Sequence, residues 1–286
     1  MVWDAIIAAY LFLAGVGAGS FAFAALAGWR APEARKVKMA GMVIGLVAVA
    51  LGTVMLIFDA KAGFQDPLKF LLLLSNFGSV MTWGVVILSV FLVVAFVEIL
   101  LYWRTGKTPR ALDWVGIVLA LCVATYTGVL LGVCPSYPLW NLPLLPILFV
   151  VSATATGFAA AELAGYALDR AGLEKAELPA VVGIALPVVE MAVAAVLLLV
   201  TANAGGVSAA AGAATVAGLV GGAWAPAFWG LFIVVGLAAP LAIALAARAR
   251  KQGASALSAL GWACVLIGGF TLRYLVVLAA VPIVAY

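Results

Sequence analysis

Eight times along this chain a long apolar run recurs, at 5–28, 37–58, 79–101, 112–133, 142–166, 180–202, 226–247 and 256–281. A helix rising about 1.5 Å per residue needs about 20 such residues to cross a hydrocarbon layer of about 30 Å. Strands of a membrane barrel would instead alternate in segments of about ten residues. These runs are continuously apolar, and in lipid only a helix or a closed barrel satisfies its own backbone. The expected fold is therefore an all-α membrane protein with eight transmembrane helices. Composition agrees: 67% of the 286 residues are hydrophobic and 9% charged, a balance that a water-soluble domain of this size does not carry.

The first run, in "MVWDAIIAAYLFLAGVGAGSF", is expected to remain as a helix, because nothing basic precedes it and it is longer than the apolar region of a secretion signal. The three cysteines, Cys122, Cys134 and Cys264, are fewer than the four thiolates that usually hold an iron–sulfur cluster. They read as small membrane-helix residues. Histidine is absent, which removes bis-histidine haem and the common histidine-bound zinc and iron sites. Any electron handling would proceed without a haem, an iron–sulfur cluster or a metal held by this chain.

Positive residues in short connections stay on the cytoplasmic side. Twelve of the fifteen basic residues fall after the first, third, fifth and seventh runs: Arg30, Arg35, Lys36, Lys38; Arg104, Lys107, Arg110; Arg170, Lys175; Arg248, Arg250, Lys251. Only Lys61 and Lys69 fall in the other connections, and Arg273 lies inside the eighth run. Both termini are thus expected outside, which for a bacterial inner (cytoplasmic) membrane is the periplasm. The net charge of +4 reflects this topology and not a nucleic-acid footprint. The longer outer connections, near 59–78, 134–141 and 203–225, direct attention to that face.

Polar side chains gather near the outer ends of the first four runs: Asp4 and Tyr10; Asp59; Asn76, Ser79 and Thr82; Tyr126 and Thr127. One reading is the polar and aromatic belt that membrane proteins carry at headgroup level. The other is the head of a cleft for an amphiphile, with a few hydrogen-bonding groups above an apolar slot, a description that fits a quinone. Tyr126 could bond a neighbouring carbonyl or a ligand, since its ring is apolar and its hydroxyl wants a partner. Gly15, Gly17 and Gly19 allow close helix approach, and no strand precedes them as a dinucleotide site would require.

Charges inside a span cost about 2.5–3.5 kcal/mol each at a helix centre. Glu190 and Arg273 lie within the sixth and eighth runs and are candidates for a proton pathway or for a structural ion pair. Glu98 and Glu162 lie nearer inner helix ends, where snorkelling to the interface is expected.

The halves show no internal repeat. Short loops suggest two packed four-helix bundles, residues 1–133 holding the candidate quinone site and 134–286 the second bundle, with a short surface helix near 203–225.

Five segments together resemble the NrfD/PsrC family, the integral-membrane subunits of polysulfide-reductase-like molybdoenzyme complexes. They are "YLFLAGVGAGSF", "DPLKF" followed by "NFGSVMTWG", "YTGVLLGVCPSYPLWNLPLLPILFVVSATATG", "WAPAFWG" and "GGFTLRYLVV". The resemblance covers nearly the whole chain. It implies an anchor subunit that binds menaquinone or a related quinone near the outer face. The partners it implies are a ferredoxin-like iron–sulfur subunit and a molybdopterin catalytic subunit, with membrane lipid around the chain and no nucleic acid. Tyr126 matches the family's quinone-site pattern, and Tyr10 stands where some relatives place a histidine. Without histidine, the quinone oxygens would be met by Tyr126, Tyr10, Asn76 or a carboxylate such as Asp59. Two other readings stand beside this one: a proton-coupled secondary transporter working through Glu190 and Arg273, and a structural anchor with no quinone.

Overall fold

The computed structural model describes residues 4–59, 78–140, 143–176, 180–250 and 253–283. All regular structure among them is helical, and eight of the helices are long and apolar enough to cross a membrane. In chain order the helices are α1 (Ala5–Arg30), α2 (Arg35–Asp59), α3 (Val80–Thr105), α4 (Arg110–Gly132), α5 (Leu144–Leu168), the short α6 (Arg170–Ala176), α7 (Ala180–Ala202), the short α8 (Ala209–Val220), α9 (Pro226–Ala249) and α10 (Ala256–Leu278). The expected short helix near 203–225 is α8, preceded by a single tight turn at Gly206–Ser208.

Local sequence explains several of the ends. Asp4 caps α1, its carboxylate accepting from the Ile6 amide at 2.8 Å, the ordinary use of a short acidic side chain at a helix start. Ser255 and Ser258 close a reciprocal capping box at the start of α10. After Gly132 the chain turns through Cys134-Pro135, and proline cannot continue the helix. The first half of α9, Pro226–Ala238, is wound as a π-helix and returns to α-helix just before Pro240. Proline clashes with the carbonyl four residues before it, and a wider turn at that point relieves the clash.

Helix α1 is the central element. Within its most apolar window 72% of residues are buried, against 22% for α7 and for α9, which keep most of their surface for lipid. It packs on α2, α4, α5 and α10. The α1–α5 crossing depends on glycine: a side chain at Gly19 would run into the Ala153 carbonyl, and one at Gly157 into the Gly19 backbone. Membrane helices associate through such close backbone approach, because lipid tails leave no hydrophobic drive between them. The Ser20 hydroxyl fastens the same crossing by donating to the Gly157 carbonyl at 2.9 Å.

The connection from α4 to α5 is anchored to the last helix. Trp140 is 1% exposed and donates its indole N–H to the Val276 carbonyl at 2.6 Å, while Tyr137 stacks on it at 3.9 Å between ring centroids. The Ile283 amide donates to the Ser136 carbonyl at 2.7 Å. The two halves of the chain therefore share a packed interface along α1, α5 and α10.

Candidate functional site

Two ends of the molecule can be told apart by charge. At one, called here the basic end, lie Arg30, Arg35, Lys38, Arg104, Arg110, Arg170 and Arg248; α1 starts at the other. Tyr10 is six residues into α1 and Tyr126 six residues before the end of α4, so antiparallel packing sets them at one depth near the opposite end. Tyr10 is fully buried and Tyr126 is 4% exposed. Their phenols interact with each other, yet neither hydroxyl completes a hydrogen bond among the described residues. A buried hydroxyl without a partner is costly, and even where one phenol donates to the other, a hydroxyl hydrogen is left over for a further acceptor.

Glycines fix both rings. The hydroxyl end of the Tyr126 ring lies against Gly84 of α3, where any side chain would collide with the phenol. Tyr10 leans on Gly52 of α2, where an added Cβ would stand 3.3 Å from the ring. Four helices therefore meet around the two rings. The pair is recognised by those unsatisfied hydroxyls and not by an open cavity; the described cavity of about 420 Å³ lies at the basic end, between α5, α7, α9 and α10. Of the other expected site residues, Asn76 lies outside the described residues, as does the side chain of Asp59.

A second polar group forms around Arg273. Arg273, fully buried on α10, donates through Nε to the Leu11 carbonyl at 3.1 Å and through Nη1 to the Ser152 hydroxyl at 2.9 Å and the Gly269 carbonyl at 3.0 Å. Its guanidinium lies over the Phe149 ring at 5.3 Å and the Phe12 ring at 5.9 Å. Nη2 has no partner among the described residues. Glu190, 3% exposed on α7, interacts with the Ser152 side chain and feels the Arg273 charge. Both charges thus lie by Ser152, and no direct ion pair joins them among the described residues. This arrangement touches the tyrosine pair by its backbone: the Leu11 carbonyl that Arg273 engages belongs to the residue after Tyr10.

The basic end holds a group that composition and periodicity did not single out. Asp113, 1% exposed at the first turn of α4, pairs with Lys38, 4% exposed on α2, at 2.9 Å. The Trp29 indole donates to its other oxygen at 2.7 Å, and the Thr108 hydroxyl donates to the first at 2.7 Å. Lys38 also donates to Thr108 at 2.5 Å. Glu98 corrects the snorkelling expectation: it is fully buried beside Asp113, and neither carboxylate oxygen meets a hydrogen-bond partner by geometry among the described residues. Gly116 of α4 lies against its carboxylate, and the packed helices cover the side chain.

Comparison with known proteins agrees with this architecture. The family described as "Polysulphide reductase, NrfD" matches residues 1–285. Protein NrfD of Escherichia coli K12 is 30% identical over 312 aligned positions, covering 98% of this chain and 95% of that one. The NrfD homolog of Haemophilus influenzae is 28% identical, covering 98% and 94%. The C subunit of polysulfide reductase from Wolinella succinogenes is 34% identical over 189 positions, and the match spans 58% of each protein. With eight spanning helices and a match along nearly its whole length, the chain belongs to the NrfD polysulphide reductase family of multi-pass membrane subunits of redox complexes.

Proposed function

We propose that this chain is the membrane anchor subunit of a respiratory oxidoreductase complex and binds menaquinone or a related quinone between Tyr10 and Tyr126. The observation that carries the reading is the pair of buried, juxtaposed phenol hydroxyls with no acceptor among the described residues. Their chemistry fits a quinone, whose ring oxygens accept hydrogen bonds. When bound, a quinone supplies the two-electron, two-proton couple between its oxidised and reduced forms.

The residues of the chain supply orientation and polarity. Tyr126, held by Gly84, donates to a ring oxygen from a fixed direction; Tyr10, held by Gly52, donates beside it. Burial removes competing water from both hydroxyls. Asn76 and Asp59 remain candidates to meet a quinone oxygen.

On this reading the electrons pass to or from a ferredoxin-like iron–sulfur subunit that serves a molybdopterin catalytic subunit. Both termini and the partner-binding face lie in the periplasm, and the chain sits in the bacterial inner membrane as two four-helix bundles, 1–133 and 134–286. What supports this orientation is the concentration of twelve of the fifteen basic residues at one end. The connection 134–140, pinned by Trp140, offers the partner a rigid surface at the tyrosine end.

The transporter reading has one observation on its side, the buried Glu190–Ser152–Arg273 group. Solvent extraction of the gently solubilised protein, assayed for quinone and for co-purifying subunits, decides between them. Quinone with an iron–sulfur partner is the expected result. The absence of both would favour transport.

A further inference from the structure

The cavity at the basic end takes no part in the quinone reading. Its volume, about 420 Å³, falls within the range of small-molecule sites. Glu162, Glu174, Arg248 and Ser258 line it at the basic end, and Glu174, Arg248 and the neighbouring Gly253 are exposed, so the mouth is open there. Phe158, Leu186, Ile243 and Trp262 form the walls. Ala155 of α5, Pro187 of α7 and Val265 of α10 lie deepest.

Three observations bear on what fills it. Pro187 has no amide hydrogen, so the carbonyl of Gly183 loses the donor it would have in a regular helix, and both residues line the cavity. A carbonyl left open within a membrane calls for a substitute donor, and a water molecule is the ordinary one. Ala155 is three residues from Ser152, and Pro187 three residues from Glu190. The cavity therefore stops less than one helical turn, about 4.5 Å along each helix, short of the buried polar group. That group continues by hydrogen bonds from Ser152 through Arg273 to the Leu11 carbonyl, next to Tyr10.

We infer that this cavity is an aqueous vestibule, open at the basic end, through which Glu190 exchanges protons with the compartment on that side. The step is proton transfer alone. A hydronium ion in the vestibule gives its proton to a Glu190 carboxylate oxygen: an O–H bond breaks in the donor, one forms on the acid, and no electron moves. The vestibule stands apart from the quinone reading; only its role as a proton source for a quinone would rest on that reading.

The test uses the full chain in sealed vesicles, with Cys122, Cys134 and Cys264 replaced by alanine. Ala159→Cys, midway along the cavity, and Ala155→Cys, at its deep end, are each exposed to a permanently charged, membrane-impermeant methanethiosulfonate. Val93→Cys, on a lipid-facing and 63% exposed position, is the control. The expected result is labelling of both cavity positions from the basic end, loss of that labelling when the reagent is confined to the other side, and no labelling of Val93→Cys from either. Failure of both cavity positions to react would overturn the vestibule, and so would reaction from the opposite side only. Hydroxyl-radical footprinting of the unaltered protein covers the case in which a variant does not fold. Oxidation of Trp262, with Trp140 protected, is expected; equal protection of the two would contradict the proposal. Thiol labelling reads nothing of bound quinone and quinone extraction reads nothing of this cavity, so either can fail alone.

Discussion

Lys38 and Asp113 meet at 2.9 Å with their side chains 5% and 2% exposed, tying the starts of α2 and α4 together at the basic end. A buried ion pair is expensive to break because the surviving charge stays buried, at about 3–5 kcal/mol for loss of one partner. Asp113→Asn and Lys38→Met are each expected to destabilise the folded protein by an amount in that range. A double Lys38→Met, Asp113→Leu variant should recover much of it. Unfolding in detergent checks this; single variants within about 0.5 kcal/mol of wild type, the ordinary surface value, would show that the pair contributes nothing.

The crossing of α1 and α5 leaves no room for a side chain at Gly157. Gly157→Val is expected to prevent that approach and to abolish the monodisperse, folded species on size exclusion. A normally folded Gly157→Val protein would mean that the two helices do not cross there.

Legibility of the fold followed from what hydrophobic length can report. All eight spans were readable, and the run at 180–202 coincides with α7, because twenty apolar residues have few alternatives in lipid. Tyr10 and Tyr126 were readable as candidates because a tyrosine below the surface stands out in an apolar run. Lys38 and Asp113 were not, for a physical reason. Near a helix end each looks like an interfacial charge, and Lys38 was counted among the loop residues that set orientation. Their burial arises only when α1, α2 and α4 meet. Glu98 misled in the same way. Ser152 was hidden in "VVSATATG", since a small hydroxyl in a helix usually bonds its own backbone.

Ser152 accepts a hydrogen bond from Arg273 and lies beside Glu190. Ser152→Ala keeps the volume nearly unchanged and removes that link. Glu190→Gln and Ser152→Ala are both expected to slow proton uptake by vesicles during quinone turnover while leaving assembly and quinone content unchanged. A pH-sensitive dye reads the rate. Uptake indistinguishable from wild type in both would reduce the group to a packing role.

Gly84 touches Tyr126 without offering any polar atom of its own side chain. Gly84→Leu is expected to displace the phenol and to lower quinone occupancy as far as removal of the hydroxyl does. Occupancy equal to wild type, measured after solvent extraction, would show that the ring position is not set by α3.

The proposed site stands on its two phenols, and the quinone content of purified Tyr10→Phe, Tyr126→Phe and double variants tests it most directly. One net hydrogen bond is worth about 0.5–1.5 kcal/mol, or about 2- to 12-fold in affinity. Each single variant should lose quinone by a factor in that range, and the double variant should lose more, with every variant still folded and spanning the membrane. Wild-type quinone content in the double variant would contradict the assignment of the site to Tyr10 and Tyr126.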